Sequence, residues 1–123
     1  MAGRPYEPDR GVIVALLNYP RSPQDWDVWS MHHRISHSLI IDTARSKRNT
    51  QLVDYQLDPI PASDTTSWLQ RNQQAHAEML AVVGAQSVDL QDVDINDERQ
   101  MQAWLYLHYL DHQTTEQRLG VGS

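Results

Sequence analysis

The sequence contains no cysteine and no phenylalanine. Without cysteine there are no disulfides, no thiolate metal ligands and no cysteine nucleophile, which fits a protein made in a reducing cytosol. Without phenylalanine the large aromatic side chains are four Trp and five Tyr, each with a polar atom that needs a partner when buried. No apolar run approaches the roughly 20 residues of a membrane helix, and Met1-Ala-Gly-Arg-Pro-Tyr-Glu-Pro is no secretory signal. A soluble protein with no membrane partner is therefore expected. Clustered cations are also scarce. The formal charge is −6 and the one basic group, Arg45-Ser-Lys47-Arg48, is short, so no nucleic-acid partner is expected. Those cations follow a helical stretch, where they complement the negative end of its dipole. Glycine-rich phosphate loops and a Gly-x-Ser-x-Gly elbow are missing too.

The 123 residues suffice for one domain with appendages. Residues 1–24 hold four of the six prolines and an isolated apolar run, Val12-Ile13-Val14-Ala15-Leu16-Leu17, and are expected to form an extended arm. The remainder, 25–123, reads as a mainly α domain of three helices, at about 25–44, 67–83 and 97–119. The connections between them are long. Leu57-Asp-Pro-Ile-Pro61 is extended, and a minor strand pairing of 52–57 with 12–17 is an option. Thr66 or Ser67 is the expected cap of the second helix and Asp94 or Asn96 that of the third, with Gly84 and Gly120 as stops.

The three helices share a repeat: Trp29-x3-His33-x3-His37, Trp68-x3-Asn72-x3-His76 and Trp104-x3-His108-x3-His112. Steps of four keep each set on one helical stripe. In the second helix that stripe also carries Leu69, Ala75, Met79, Leu80 and Val83 and is opposed by glutamines, so these nine residues are expected to be core anchors. The first helix has a second apolar side with Val28, Met31, Ile35 and Leu39, and the third has Ala103, Tyr106, Leu107 and Leu110. A helix apolar on two sides is central in its domain or faces another chain. Candidate interface residues are accordingly Val12, Ile13, Val14, Leu16, Leu17, Val28, Ile35, Leu39, Tyr106 and Leu110.

Two readings of the histidines are open. His33, His37, His76, His108 and His112, paired one turn apart, can form a nitrogen-rich site for zinc or another transition metal. Alternatively, buried imidazoles hydrogen-bond to loops, aspartates and one another. Helix duplication explains the spacing, and Asn72 is a poor metal ligand but a good hydrogen-bonding substitute. The expectation is therefore a hydrogen-bonded histidine core with no metal and no cofactor. Neither His pair contains the glutamate of His-Glu-x-x-His, and Asp111 points off the His108/His112 stripe. Asp92-x-Asp94-x-Asn96 begins like a calcium loop but has Asp97 for the turn glycine and Ala103 for the distal glutamate. No catalytic residue is assigned and no enzyme is expected.

Leu57-Asp-Pro-Ile60, Trp68-Leu-Gln-x4-Ala-His76, Asp89-Leu-Gln-Asp-Val-Asp94, Gln102-Ala-Trp104-x3-His108-x3-His112 and Leu119-Gly120 resemble small proteins encoded among the virion genes of tailed bacteriophages. The resemblance covers residues 26–121. It implies a non-enzymatic structural subunit of the neck, tail or baseplate, made in the host cytoplasm and assembled with sister subunits and other virion proteins as a homo-oligomer. A histidine-rich metal-binding protein and a phage-encoded modulator of a host protein are the alternatives.

Overall fold

The computed structural model describes residues 16, 19–57, 65–90, 92–94 and 96–121. Among these, three helices and their connections account for the fold, with no strand. The mainly α architecture matches expectation. The optional strand pairing is not formed between Leu52 and Leu57, while Val12, Ile13, Val14 and Leu17 lie outside the described residues.

Helix α1 spans Pro23–Arg48, longer than expected at both ends. Ser22 caps it by accepting from the Asp25 N–H, Pro23 sits in the first turn where no N–H is needed, and Asn49 ends it in the left-handed conformation. Helix α2 spans Thr65–Val82, so Thr66 and Ser67 lie inside it rather than at its cap. Past its end Gly84 takes φ +72° and the Ala85 N–H returns to the Leu80 carbonyl, a backbone turn suited to glycine. Helix α3 spans Glu98–Leu119 and is capped by Asp97, whose carboxylate accepts from the Arg99 and Gln100 N–H groups. Asp94 instead accepts from the Asn96 N–H in the turn before it, so the expected caps were one to three residues early. Gly120 closes α3 with φ +73°.

All three helices run in the same direction. At their N-terminal parts Trp29, Trp68 and Trp104 form a triangle with ring centroids 6.2, 5.8 and 5.7 Å apart. At the other end Arg48 donates to the carbonyls of Val82 and Arg118, and Lys47 to that of Gly120, so the three C-termini meet. The basic cluster thus serves the carbonyl ends of all three helices, extending its expected role on its own dipole. Parallel neighbours explain the long connections: residues 49–64 and 83–97 must carry the chain back along a helix of about 27 Å.

The repeat therefore stacks in register. The Trp triangle belongs to one apolar cluster, with Leu16, Leu57, Met101 and Leu105 around it. A second cluster, Ile40, Ala44, Leu52, Met79, Leu80 and Leu119, fills the C-terminal half. Between them lies a polar layer. Leu16 is fully buried in the first cluster and its carbonyl accepts from Trp29 Nε1 at 3.2 Å, so it is a core residue and not the interface residue expected of it. The Leu57 carbonyl receives the Trp68 indole N–H in the same way. Val28, Ile35 and Tyr106 are exposed, whereas Leu39 and Leu110 are half-buried.

Candidate metal centre

Four-residue steps advance about 6 Å along a helix, so each repeat places its two polar positions one layer apart. His33, Asn72 and His108 make the first polar layer and His37, His76 and His112 the second. His33, Asn72, His76, His108 and His112 are fully buried, and His37 is half-buried at the edge. The structure brings the nine anchor candidates together, with His37 the least enclosed. The rings touch across both layers: His76 and His108 centroids are 4.3 Å apart, His108 and His112 4.6 Å, and His33 and His108 4.8 Å. One ring nitrogen from each of His33, His76, His108 and His112 lies within 4.8 Å of the others.

The outer ring nitrogens have acceptors. His76 Nδ1 donates to Asp111 Oδ2 at 2.8 Å, and His108 Nδ1 faces Asp89 Oδ2 at 3.4 Å. His112 Nδ1 meets Ser36 Oγ at 2.8 Å, and because that hydroxyl donates to Glu116 Oε2, it accepts from the ring. His33 has the Asn72 side chain as its hydrogen-bonding neighbour. Asp111 is itself held by Ser87 Oγ and the Val88 N–H, and Asp89 by the Asn72 amide.

These partners determine the tautomers. A carboxylate accepts only, so the neutral ring of His108 carries its proton on Nδ1, and the Ser36–Glu116 pair imposes the same on His112, while His76 Nδ1 donates to Asp111. The Nε2 atoms of His108 and His112 then carry lone pairs. Nε2 of His76, His108 and His112 is in each case buried with no hydrogen-bond partner among the described residues. Burial, reinforced by neighbouring imidazoles, lowers His108 and His112 well below the ordinary histidine value, as it does His33 and His37, so these rings are neutral. Burial raises Asp89 to about 6, against the opposing effect of nearby His76.

The expected hydrogen-bonded histidine core thus describes the Nδ1 side of the rings but not the Nε2 side. Three unpartnered Nε2 atoms on rings whose Nδ1 is braced, in a set of four histidines that bring one ring nitrogen each within 4.8 Å of the others, have the donor arrangement of an imidazole metal site with its supporting shell. Asp89, Asp111, Ser36 and Glu116 were missed in the sequence. Asp111 does point off its own helical stripe, but that direction carries it to His76 on the neighbouring helix. Compared with protein-family models, curated proteins and solved structures, the chain matches none.

Proposed function

We propose that this protein binds a first-row divalent transition metal through His33, His76, His108 and His112. The observation that carries the reading is the set of three buried Nε2 atoms with no partner among the described residues, each on a ring whose Nδ1 already has an acceptor. A purely structural core would leave these atoms costing about 1–3 kcal/mol each. An all-nitrogen donor set suits zinc, copper, nickel, cobalt or iron rather than magnesium or calcium. The supporting acceptors orient the rings and raise their basicity toward a cation.

The test is metal titration of chelator-stripped protein. One Zn(II) or Co(II) per chain should bind and raise the melting temperature, and His76→Ala and His112→Ala should each weaken binding by an order of magnitude or more. Native protein with no bound metal, and a stripped form indifferent to added metal, would overturn the reading.

A role in an oligomeric assembly, as the phage resemblance implies, is a second and compatible reading. It is favoured by Val28, Met31 and Ile35, exposed together on one side of α1, and by exposed Tyr106 on α3. Native mass measurement tests it, and a strict monomer at high concentration counts against it.

A further inference from the structure

The chain carries a formal charge of −6, yet the exposed side of α1 alternates in sign along its length, through Asp27, Arg34, Asp42 and Arg45. Arg45 pairs with Asp42, and Arg21 just before the helix pairs with Glu98, whereas Asp27 and Arg34 have no ion-pair partner among the described residues. Both flank the exposed apolar stripe of Val28, Met31 and Ile35. An apolar stripe edged by unpaired charges of opposite sign is the pattern of a helix that pairs with another helix.

The spacing determines what can cover it. Val28, Met31 and Ile35 follow the alternating three- and four-residue steps of a two-helix seam, which Gln24 continues towards the N-terminus. Asp27 and Arg34 immediately precede Val28 and Ile35 and so lie on the same edge of the seam, while His32 and half-buried Leu39 form the other edge. A parallel copy of α1 would set Arg34 against the partner's Leu39, with no opposite charge to meet. An antiparallel copy sets the two Asp27/Arg34 edges against each other. Its register then follows from charge. With Val28 on the partner's Gln24, Asp27 lies beside the partner's Asp27; with Met31 on the partner's Ile35, Arg34 lies beside the partner's Arg34. With Val28 on the partner's Met31, Asp27 lies beside the partner's Arg34 at both ends of the contact, offset by about 3 Å along the axis.

We propose that α1 pairs antiparallel with α1 of a second copy of this chain, about a two-fold axis, in this last register. The inference rests on the assembly reading above and is independent of the metal centre. The two-fold makes the face its own complement, since each Val28 covers a Met31 and each Asp27 meets an Arg34. The contact runs only from Gln24 to Ile35, so the dimer is weaker than complexes that bury about 800 Å² per partner, and it forms with rising concentration.

Sedimentation velocity of the full-length chain over a concentration series reads this out. The wild type should show a monomer–dimer equilibrium. Met31→Lys, which puts a cation into each central layer, should abolish it. Asp27→Arg and Arg34→Asp each place like charges together at both ends and should weaken dimerisation by about tenfold or more, while the double variant Asp27→Arg/Arg34→Asp should return to within about threefold of the wild type. All three positions are exposed, so melting curves of the variants at monomer concentrations should match the wild type. If the wild type self-associates but Met31→Lys and the single charge reversals do so equally, the inference is overturned and the assembly reading stands. If the single reversals weaken the dimer and the double variant does not recover, the antiparallel register is overturned. A wild type that stays monomeric at the highest concentration overturns the inference and counts against the assembly reading with it.

Discussion

Fully buried His33, His108 and His112 and half-buried His37, all of lowered basicity, make acid the natural stress for this protein in its metal-free form. The unfolded chain takes up protons near pH 6.5, whereas folded His33, His37, His108 and His112 do so only at lower pH. Their contribution is therefore intact above about pH 6.5 and is lost as pH falls below it, at up to about 1.4 kcal/mol per pH unit for each ring. Asp89, pushed up to about 6, works in the opposite sense: on acidification the folded state gains its proton before the unfolded state does. One carboxyl against four rings leaves the net direction unchanged. Urea melts of stripped protein should shift to lower midpoints between about pH 7 and pH 5, and a flat profile would contradict the neutral buried set. Asp111→Asn probes the supporting shell, since Asp111 holds His76, Ser87 and the Val88 N–H together. Metal affinity in that variant should drop about 10- to 100-fold, measured by competition with a chromophoric chelator. Asp111 also shows why such residues are hard to find in a sequence. Helical periodicity reports which residues share a face of one helix, and a residue off that face is recognised only once the neighbouring helix is placed.

At the scale of the helices, the repeat of Trp, His or Asn, and His was legible, because a four-residue step has one structural meaning on a helix. So were the glycine stops after α2 and α3, where φ is positive. The N-terminal boundary of α3 was not, because Asp94, Asn96 and Asp97 can all cap, and only backbone conformation decides between them. Helix direction was equally hidden, since connections of this length allow parallel or antiparallel packing. The Trp triangle tests the packing that resulted. Trp29→Ala, Trp68→Ala and Trp104→Ala should each cost about 3–5 kcal/mol in denaturant melts, and wild-type stability in any of them would place that ring outside the core. At the opposite end, Arg48→Ala removes donors to the ends of α2 and α3 and should cost about 1 kcal/mol. A loss there without any change in metal affinity would show that the C-terminal clasp and the polar layer are separable.

The molecule as a whole encloses a polar layer between two apolar plugs, and the layer is where the sequence departs from what a small helical core needs. Mainly α architecture, the shared core face and the two-sided character of α1 could all be read in advance. The meeting of four histidine rings in one place could not, because it depends on three helices meeting in register. That parallel arrangement carries a kinetic consequence. No helix can dock on its neighbour in sequence as a local hairpin, since each first requires a long connection to be drawn back along the helix axis. The contacts of the Trp triangle join residues 29, 68 and 104, so the loops closed to form them are long and their closure entropy is met before the contacts form. Refolding should accordingly be slower than that of an antiparallel three-helix bundle of equal size, with rates measured by tryptophan fluorescence after stopped-flow dilution from urea.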